Sequence, residues 1–479
     1  MNLTLSPDFH QQLTRRAFLG RGAFGLGTLG LSSLLQENLA ANTSAARQGG
    51  VLHYVPRAKR IIFLFMSGGP SQIDLFDPKP KLNELNGQPM PASLVKNERV
   101  AQLQGKPLLC MGSRYKFARY GPVGVDISEL LPWTAKMADD ITVIRSMQTE
   151  AINHDPAVTF MQTGNAQPGR PVMGSWLSYG LGSNNRDLPA FVVLVSGIGS
   201  GQNLHTRYWG SGFLPTVHQG VQFRSSGDPV LFVSNPPGMS PEVRRRILDG
   251  VRDVNRQKLD AVGDPEIATR IEQYEMAWRM QTSVPDLMDN SKEPASVYEL
   301  YGEEAKTPGT FAANCLLARK LAERDVRFIQ LYHRDWDHHD QLPDGIAKEC
   351  RHVDRAGYAL VQDLKQRGLL DDTIVLWSGE FGRTPMSQSN TSYETYGRDH
   401  HMKAFSAWVA GGGFKAGGLV GATDELGFSV ATDRVHIHDL HATILHLMGI
   451  DHTKLIYRSQ GRDFRLTDVH GHVVKELLV

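Results

Sequence analysis

The chain predicts a doubly wound, mostly parallel α/β sheet with helices on both faces. Three observations carry this expectation. Short apolar runs rich in β-branched and aromatic residues recur at 61–66, 141–144, 191–195, 326–332, 373–378 and 405–410. Stretches with helical spacing separate them, as alternating strands and helices require. Glycine-rich or His/Asp-rich turns follow directly on several of the runs. In open α/β sheets, ligands bind beyond the carboxyl ends of the strands.

The 479 residues are 41% hydrophobic and 21% charged, as in an ordinary globular enzyme with a sizeable core. A net charge of +1 offers no broad basic field, so nucleic acid is not an expected partner. Residues 1–46 read differently. Thr14-Arg15-Arg16-Ala17-Phe18-Leu19 is a twin-arginine pattern, and a weakly apolar, glycine-rich run over 23–35 follows it. That run is too short for an ordinary membrane span, and small residues around 40–46 suit cleavage. The expectation is a Tat-type export signal. The mature chain, 47–479, would then be periplasmic or secreted, with no membrane span. Three scattered cysteines are too few for a disulfide framework or a zinc–thiolate site.

In chain order, the strand at 61–66 runs into Ser67-Gly68-Gly69-Pro70-Ser71, a turn suited to presenting backbone N–H groups to a ligand. A helix is expected over 128–137 with Ser128 as N-cap. After the strand at 141–144 comes Asn153-His154-Asp155-Pro156. Asp155 reads as an N-cap with Pro156 at the first helical position, which sets His154 beside a helix N-terminus. A helix over 174–181 and the strand at 191–195 follow. Residues 200–307 read as an insertion or cap, first rich in Gly, Ser and Pro, then helical with charged outer faces at 241–259 and 265–280.

A helix over 310–324 feeds the strand at 326–332. Beyond it crowd His333, Asp335, Asp337, His338, His339 and Asp340. Imidazoles and carboxylates are the ligands that zinc, manganese or iron prefer. A solvated, His-rich loop is the bland reading, but loops held by a rigid scaffold are where function concentrates. Asp399-His400-His401 offers a partner cluster from a distant part of the chain. Between the two lie a helix expected over 353–367, closed by Gly368, and the strand at 373–378, which ends in Gly379-Glu380-Phe381-Gly382-Arg383. The last helix is expected over 439–448, stopped at Gly449.

From residue 57 onward the chain resembles the bacterial DUF1501 proteins, abundant in planctomycetes and grouped with the sulfatase/alkaline-phosphatase superfamily. The twin-arginine start, Ser67-Gly68-Gly69-Pro70-Ser71, Trp336-Asp337-x-His339 and Gly379-Glu380-Phe381-Gly382-Arg383-Thr384-Pro385 carry the resemblance. The run 360–380 is similar to the sulfatase segment that ends in a metal-binding pair, and 439–450 to a helix near the end of sulfatase domains. The resemblance implies an alkaline-phosphatase/sulfatase-like fold. It also implies metal-dependent hydrolysis of sulfate or phosphate esters, with a divalent ion (Zn, Mn or Ca). The expected substrate is an anionic small molecule or a sulfated polysaccharide.

The sequence departs from that pattern in three places. Ser67-Gly68-Gly69 replaces the Asp pair after the first strand, and Phe381 replaces the second ligand after Glu380. Alignment on Thr163-Gly164 puts His154 in the place of the Cys or Ser nucleophile precursor, with Val158 in place of the motif Arg. On this reading His154 is nucleophile, general base or extra ligand, and Arg383 clamps the anion. Ser67, Gly68 and Ser71 line the substrate site. Asp335, Asp337, His339, Glu380, His400 and His401 are the candidate metal ligands, Asp335 and His339 keeping the Asp-x-x-x-His spacing of the phosphatase branch. The competing expectation is a non-catalytic chain of the same fold that binds polysaccharide or a partner protein. The missing Asp pair and Cys/Ser favour it; the density of His and Asp at strand ends does not.

Overall fold

Among the described residues, nine strands form the central sheet of the computed structural model, which describes residues 52–96, 98, 100–197, 204–225, 228–230 and 234–479. The expected export signal, 1–46, lies outside them. The strands are β1 (Arg60–Met66), β2 (Ile141–Gln148), β3 (Phe191–Ser196), β4 (Val221–Gln222), β5 (Phe328–His333), β6 (Thr373–Ser378), β7 (Phe405–Ala410), β8 (Gly418–Val420) and β9 (Val435–His436). Their order is β8-β2-β7-β6-β1-β5-β3-β4, with β9 also paired to β2. All pairings are parallel except those of β7, which is antiparallel to both β2 and β6.

The main helices are α1 (His154–Thr163), α2 (Met173–Leu181), α3 (Pro241–Val262), α4 (Pro265–Met288), α5 (Phe311–Glu323), α6 (Leu342–Gln366) and α7 (Ile437–Leu447). β1 shows how the sheet is sandwiched. Ile62, Leu64 and Met66 pack with Leu321 of α5 and Leu360 of α6, while Ile61, Phe63 and Phe65 pack with Met161 of α1, Leu177 of α2 and Leu440 of α7. A period of two sends alternate side chains to opposite faces, and a run apolar at every position needs both faces covered. Each large apolar side chain so buried contributes roughly 1.5–3 kcal/mol.

Residues 200–307 contribute more than an appendage. β4 extends the sheet edge. α3 and α4 pack together through Arg245, which reaches Glu275 at 2.7 Å and Asp249 at 2.9 Å. α4 is anchored by Arg279 Nε donating to Arg186 O (2.6 Å) and Ser283 Oγ donating to Asp187 O (3.1 Å).

Several expected boundaries differ, three of them near the site or its supports. Ser128 ends the strand Val125–Ser128, and the helix there is only Pro132–Lys136. α1 is capped at Asn153, so His154 opens the helix and Asp155 sits in its first turn. α6 starts at Leu342, well before 353, because Pro343 falls in the first turn, where its missing N–H costs nothing. Among the described residues, no helix is long and apolar enough to cross a membrane. All three cysteines are free and buried.

Candidate metal centre

The loops beyond β1, β5 and β6 meet the N-terminus of α1 at the carboxyl edge of the sheet. Two glycines make that convergence possible. A Cβ on Gly68 (φ +125°) would fall 2.5 Å from Asp337 N and 2.7 Å from Trp336 C; one on Gly69 (φ +79°) would strike the Phe381 ring. A hairpin of Gly382–Ser387 and Arg398–His401 pairs His400 with Arg383, adding a fourth arm.

His154, Asp337, His339 and His400 come together here, their ligand atoms all within 4.8 Å of one another. The Nε2 atoms of His339, His154 and His400 lie 2.9, 3.1 and 3.3 Å from Asp337 oxygens. Two ligands each roughly 2.1 Å from one ion, at angles of about 90–110°, stand about 3.0–3.4 Å apart. The spacing therefore suits a shared cation.

The outer nitrogens decide what the inner ones can do. His154 Nδ1 donates to Glu380 Oε1 (2.7 Å), and a carboxylate can only accept. His400 Nδ1 donates to Ile152 O at 2.9 Å. His339 Nδ1 donates to Gln388 Oε1, whose amide nitrogen donates in turn to Gln102 Oε1 (2.8 Å). In its neutral form each ring would turn a bare Nε2 toward a carboxylate that also carries only lone pairs. His154 Nε2 is buried and lies off any hydrogen-bond direction, without a partner. Such a buried orphan costs on the order of 1–3 kcal/mol, and a divalent ion would satisfy it together with the other two imidazoles. Backing a metal-binding imidazole with a carboxylate or carbonyl is the usual second layer of such sites.

Burial opposes charge on His154, but Asp337 and Glu380 outweigh it and raise its pKa to about 9, so without an ion the ring holds a second proton on Nε2 that a bound cation would have to displace. Burial also presses Asp337 upward, yet the imidazoles and Arg383 hold it far below the carboxylate range. His400 is pushed down to about 4 by burial, with the Arg383 and His154 charges adding, so it stays neutral and able to ligate.

Several expected site residues take other places. Arg383 is fully buried and cannot clamp an external anion, because every guanidinium nitrogen already donates within the protein. Nε reaches Gly69 O (2.8 Å), Nη1 reaches Arg398 O (3.1 Å), and Nη2 reaches Asp337 Oδ1 (2.6 Å) and Gly68 O. Glu380 is not among the inner ligands. It stands one layer back, bound to His154 and to the Gly68 N–H (3.0 Å). The Ser67 N–H is likewise used, donating to His333 O (2.8 Å), so Ser67 and Gly68 form no anion cradle with these amides. Ser71 Oγ turns to Asp74 Oδ2 at 2.5 Å. His401 points to the opposite face of its strand from His400 and donates Nε2–H to Phe428 O. Asp335 lies outside the inner group, whose carboxylate is Asp337. His154 gives Nδ1 to Glu380 and turns Nε2 toward Asp337, inside the four-residue group.

Gln102, Gln388 and Ile152 O were not legible as site residues. No spacing rule links them to His339 or His400, and only the fold brings them near. Asp155, beside His154, accepts from Arg207 and Tyr208, which fastens the start of α1 to the 200–307 segment.

The fold and this centre define an α/β protein with a four-residue His₃Asp group at the carboxyl edge of its sheet. Residues 58–478 match the family described as protein of unknown function DUF1501, and the chain belongs to it. No curated protein matches the chain. Solved structures similar to it include a protein in the alkaline phosphatase superfamily from Vibrio parahaemolyticus (10% identity, over 84% of this chain and 69% of that one, TM-score 0.35). Others are the PsFucS1 sulfatase from Pseudoalteromonas sp. (12%, 89% and 72%, TM-score 0.33) and Ps i-CgsB in complex with k-i-k-neocarrahexaose (11%, 81% and 72%, TM-score 0.33). Likeness at these scores says nothing of activity or substrate.

Proposed function

We propose that the chain is an exported, metal-dependent hydrolase of sulfate or phosphate esters, with the ion held by His154, Asp337, His339 and His400. The observation that carries this reading is the convergence of three imidazole Nε2 atoms on one carboxylate, one of them buried without a hydrogen-bond partner. A bound divalent ion would polarise anionic ester oxygens and lower the pKa of water. The protein's own share is positional. Glu380, Ile152 O and Gln388 set the imidazole tautomers, and Arg383 fixes Asp337 while offsetting its charge. With His154 committed as a ligand, the attacking group is water.

A second reading rests on Arg383. Its donors are consumed internally, which leaves the chain without the expected guanidinium clamp and favours a metal-bearing binder of polysaccharide or protein. One experiment separates the two. Purified protein is assayed for bound metal and for turnover of aryl phosphate and aryl sulfate, alongside His339→Ala. Metal with turnover, both lost in His339→Ala, supports the hydrolase. Metal without turnover of either ester supports the binder, and a metal content unchanged in His339→Ala rejects the centre itself. Export is tested separately: Arg15→Lys with Arg16→Lys should retain the precursor in the cytoplasm.

A further inference from the structure

The loop 334–341, which carries Asp337 and His339, is bracketed by β5 before it and α6 after it. Both brackets supply candidate ligands. His333 is the last residue of β5; Glu349 and His352, three apart, share one face of α6. We propose that His333, Glu349 and His352 form a second site for a divalent cation of the zinc class, separate from the His154 centre.

The geometry is that of ligands around one ion. His333 Nε2 lies 3.0 Å and His352 Nδ1 3.3 Å from the same oxygen, Glu349 Oε2, and the three ligand atoms fall within 4.8 Å of one another. Ligands around an ion at roughly 2.1 Å stand about 3.0–3.4 Å apart. The hydrogen inventory points the same way. Ser196 Oγ lies 2.9 Å from His333 Nδ1 and 3.3 Å from Tyr332 O, and its one proton serves one of the two. With that proton on Tyr332 O, a neutral His333 carries its hydrogen on Nδ1 and turns a bare Nε2 to Glu349 Oε2, the state in which it can ligate. His333 and Glu349 are each only 2% exposed, so water does not reach between them.

Lys348 holds the other oxygen, Oε1, at 3.1 Å, and its side chain is more than half exposed, so its charge is screened and Oε2 stays available. The His352 side chain is 37% exposed. It gives the site an open side through which an ion exchanges and a water completes the coordination, as three-ligand zinc sites require. An ion held here ties the end of β5 to α6 across the loop that bears Asp337 and His339.

The test counts zinc per chain after loading and removal of excess, in wild type, His352→Ala and His339→Ala. His352 is at the rim, so its truncation leaves the fold intact, which circular dichroism checks; Glu349→Gln serves as a second variant. The expected result is two equivalents in wild type and one in each of His352→Ala, Glu349→Gln and His339→Ala. A wild-type count that survives His352→Ala and Glu349→Gln unchanged overturns the proposal, whether that count is one or two, and places the Ser196 proton on His333 Nδ1. One equivalent lost in His352→Ala but kept in His339→Ala upholds this site and overturns the His154 centre instead.

Discussion

Two buried arginine–carboxylate pairs stand on the same hairpin and do different things. Arg398 and Asp74 are both fully buried, with Nε 2.8 Å from Oδ2. Tyr396 donates to Asp74 Oδ1 (2.7 Å), Ser71 donates to Oδ2, and the remaining Arg398 nitrogens reach Met111 O (2.8 Å) and Gly112 O (3.1 Å). Burial alone would raise the Asp74 pKa, but Arg398 overcomes it and holds the group ionised. Arg383 and Asp337 are just as close, at 2.6 Å, yet Asp337 is 30% exposed and faces three imidazoles, one of them with an orphaned nitrogen. The first pair is closed: every lone pair has a hydrogen, and its role is to join the loop after β1 to the hairpin. The second is open, with the arginine serving only to aim and offset a carboxylate whose other contacts are incomplete. The incomplete contacts around Asp337, rather than the presence of an ion pair, set the second pair apart.

Breaking the closed pair should have the largest effect. Asp74→Ala leaves Arg398 buried and unpaired, and should cost about 3–5 kcal/mol in chemical denaturation while folded protein keeps its metal stoichiometry. A cost below about 1 kcal/mol would remove the distinction between the pairs. In the open pair the balance reverses. Asp337→Asn should cost about 1.5–3 kcal/mol through the lost charged hydrogen bond to Arg383. Its metal affinity should fall further than the 10–100-fold typical of outer-layer changes, as read by competition with a chromophoric chelator. Glu380→Gln should show that outer-layer loss, 10–100-fold, since the imidazole of His154 stays but its orientation loosens.

A pH effect lies on the other side of α1. His441 donates Nε2–H to Met161 O, and burial pushes its pKa down to about 3. The folded state therefore resists a proton that the unfolded chain takes up near pH 6.5. Its contribution is complete above that pH and falls as pH drops toward 3, by about 2 kcal/mol between pH 6.5 and pH 5. Denaturation midpoints at those two pH values check this, and the slope should persist in Asp337→Asn and shrink in His441→Gln. The smallest expected effect is that of Asp335→Asn. The position has φ 78°, which Asn tolerates, and Asp335 lies outside the inner group. Metal affinity should change by less than about threefold; a larger loss in the same chelator titration would return Asp335 to the site.

The strands were legible because their pattern is local. A run such as 61–66, apolar at every position, says by itself that both faces are covered, and the turn after it says where a site can lie. His154, Asp337, His339 and His400 were legible as candidates for the same reason: imidazoles and carboxylates just past strand ends and at a helix start are local signals. Which of them converge was not. His400 and His401 are neighbours in sequence, yet strand alternation sends one to the cluster and the other to Phe428. Glu380 and Arg383 are a ligand and an anion clamp by residue type, and became supports only because Gly68, Trp336 and Asp337 crowd against them. The antiparallel course of β7 and the meeting of His333 with Glu349 and His352 depend on pairings between segments distant in the chain or on a helix start hidden behind Pro343. Period and composition report what each segment must bury; the partner of each polar atom is set only when the sheet order and the loop crossings are.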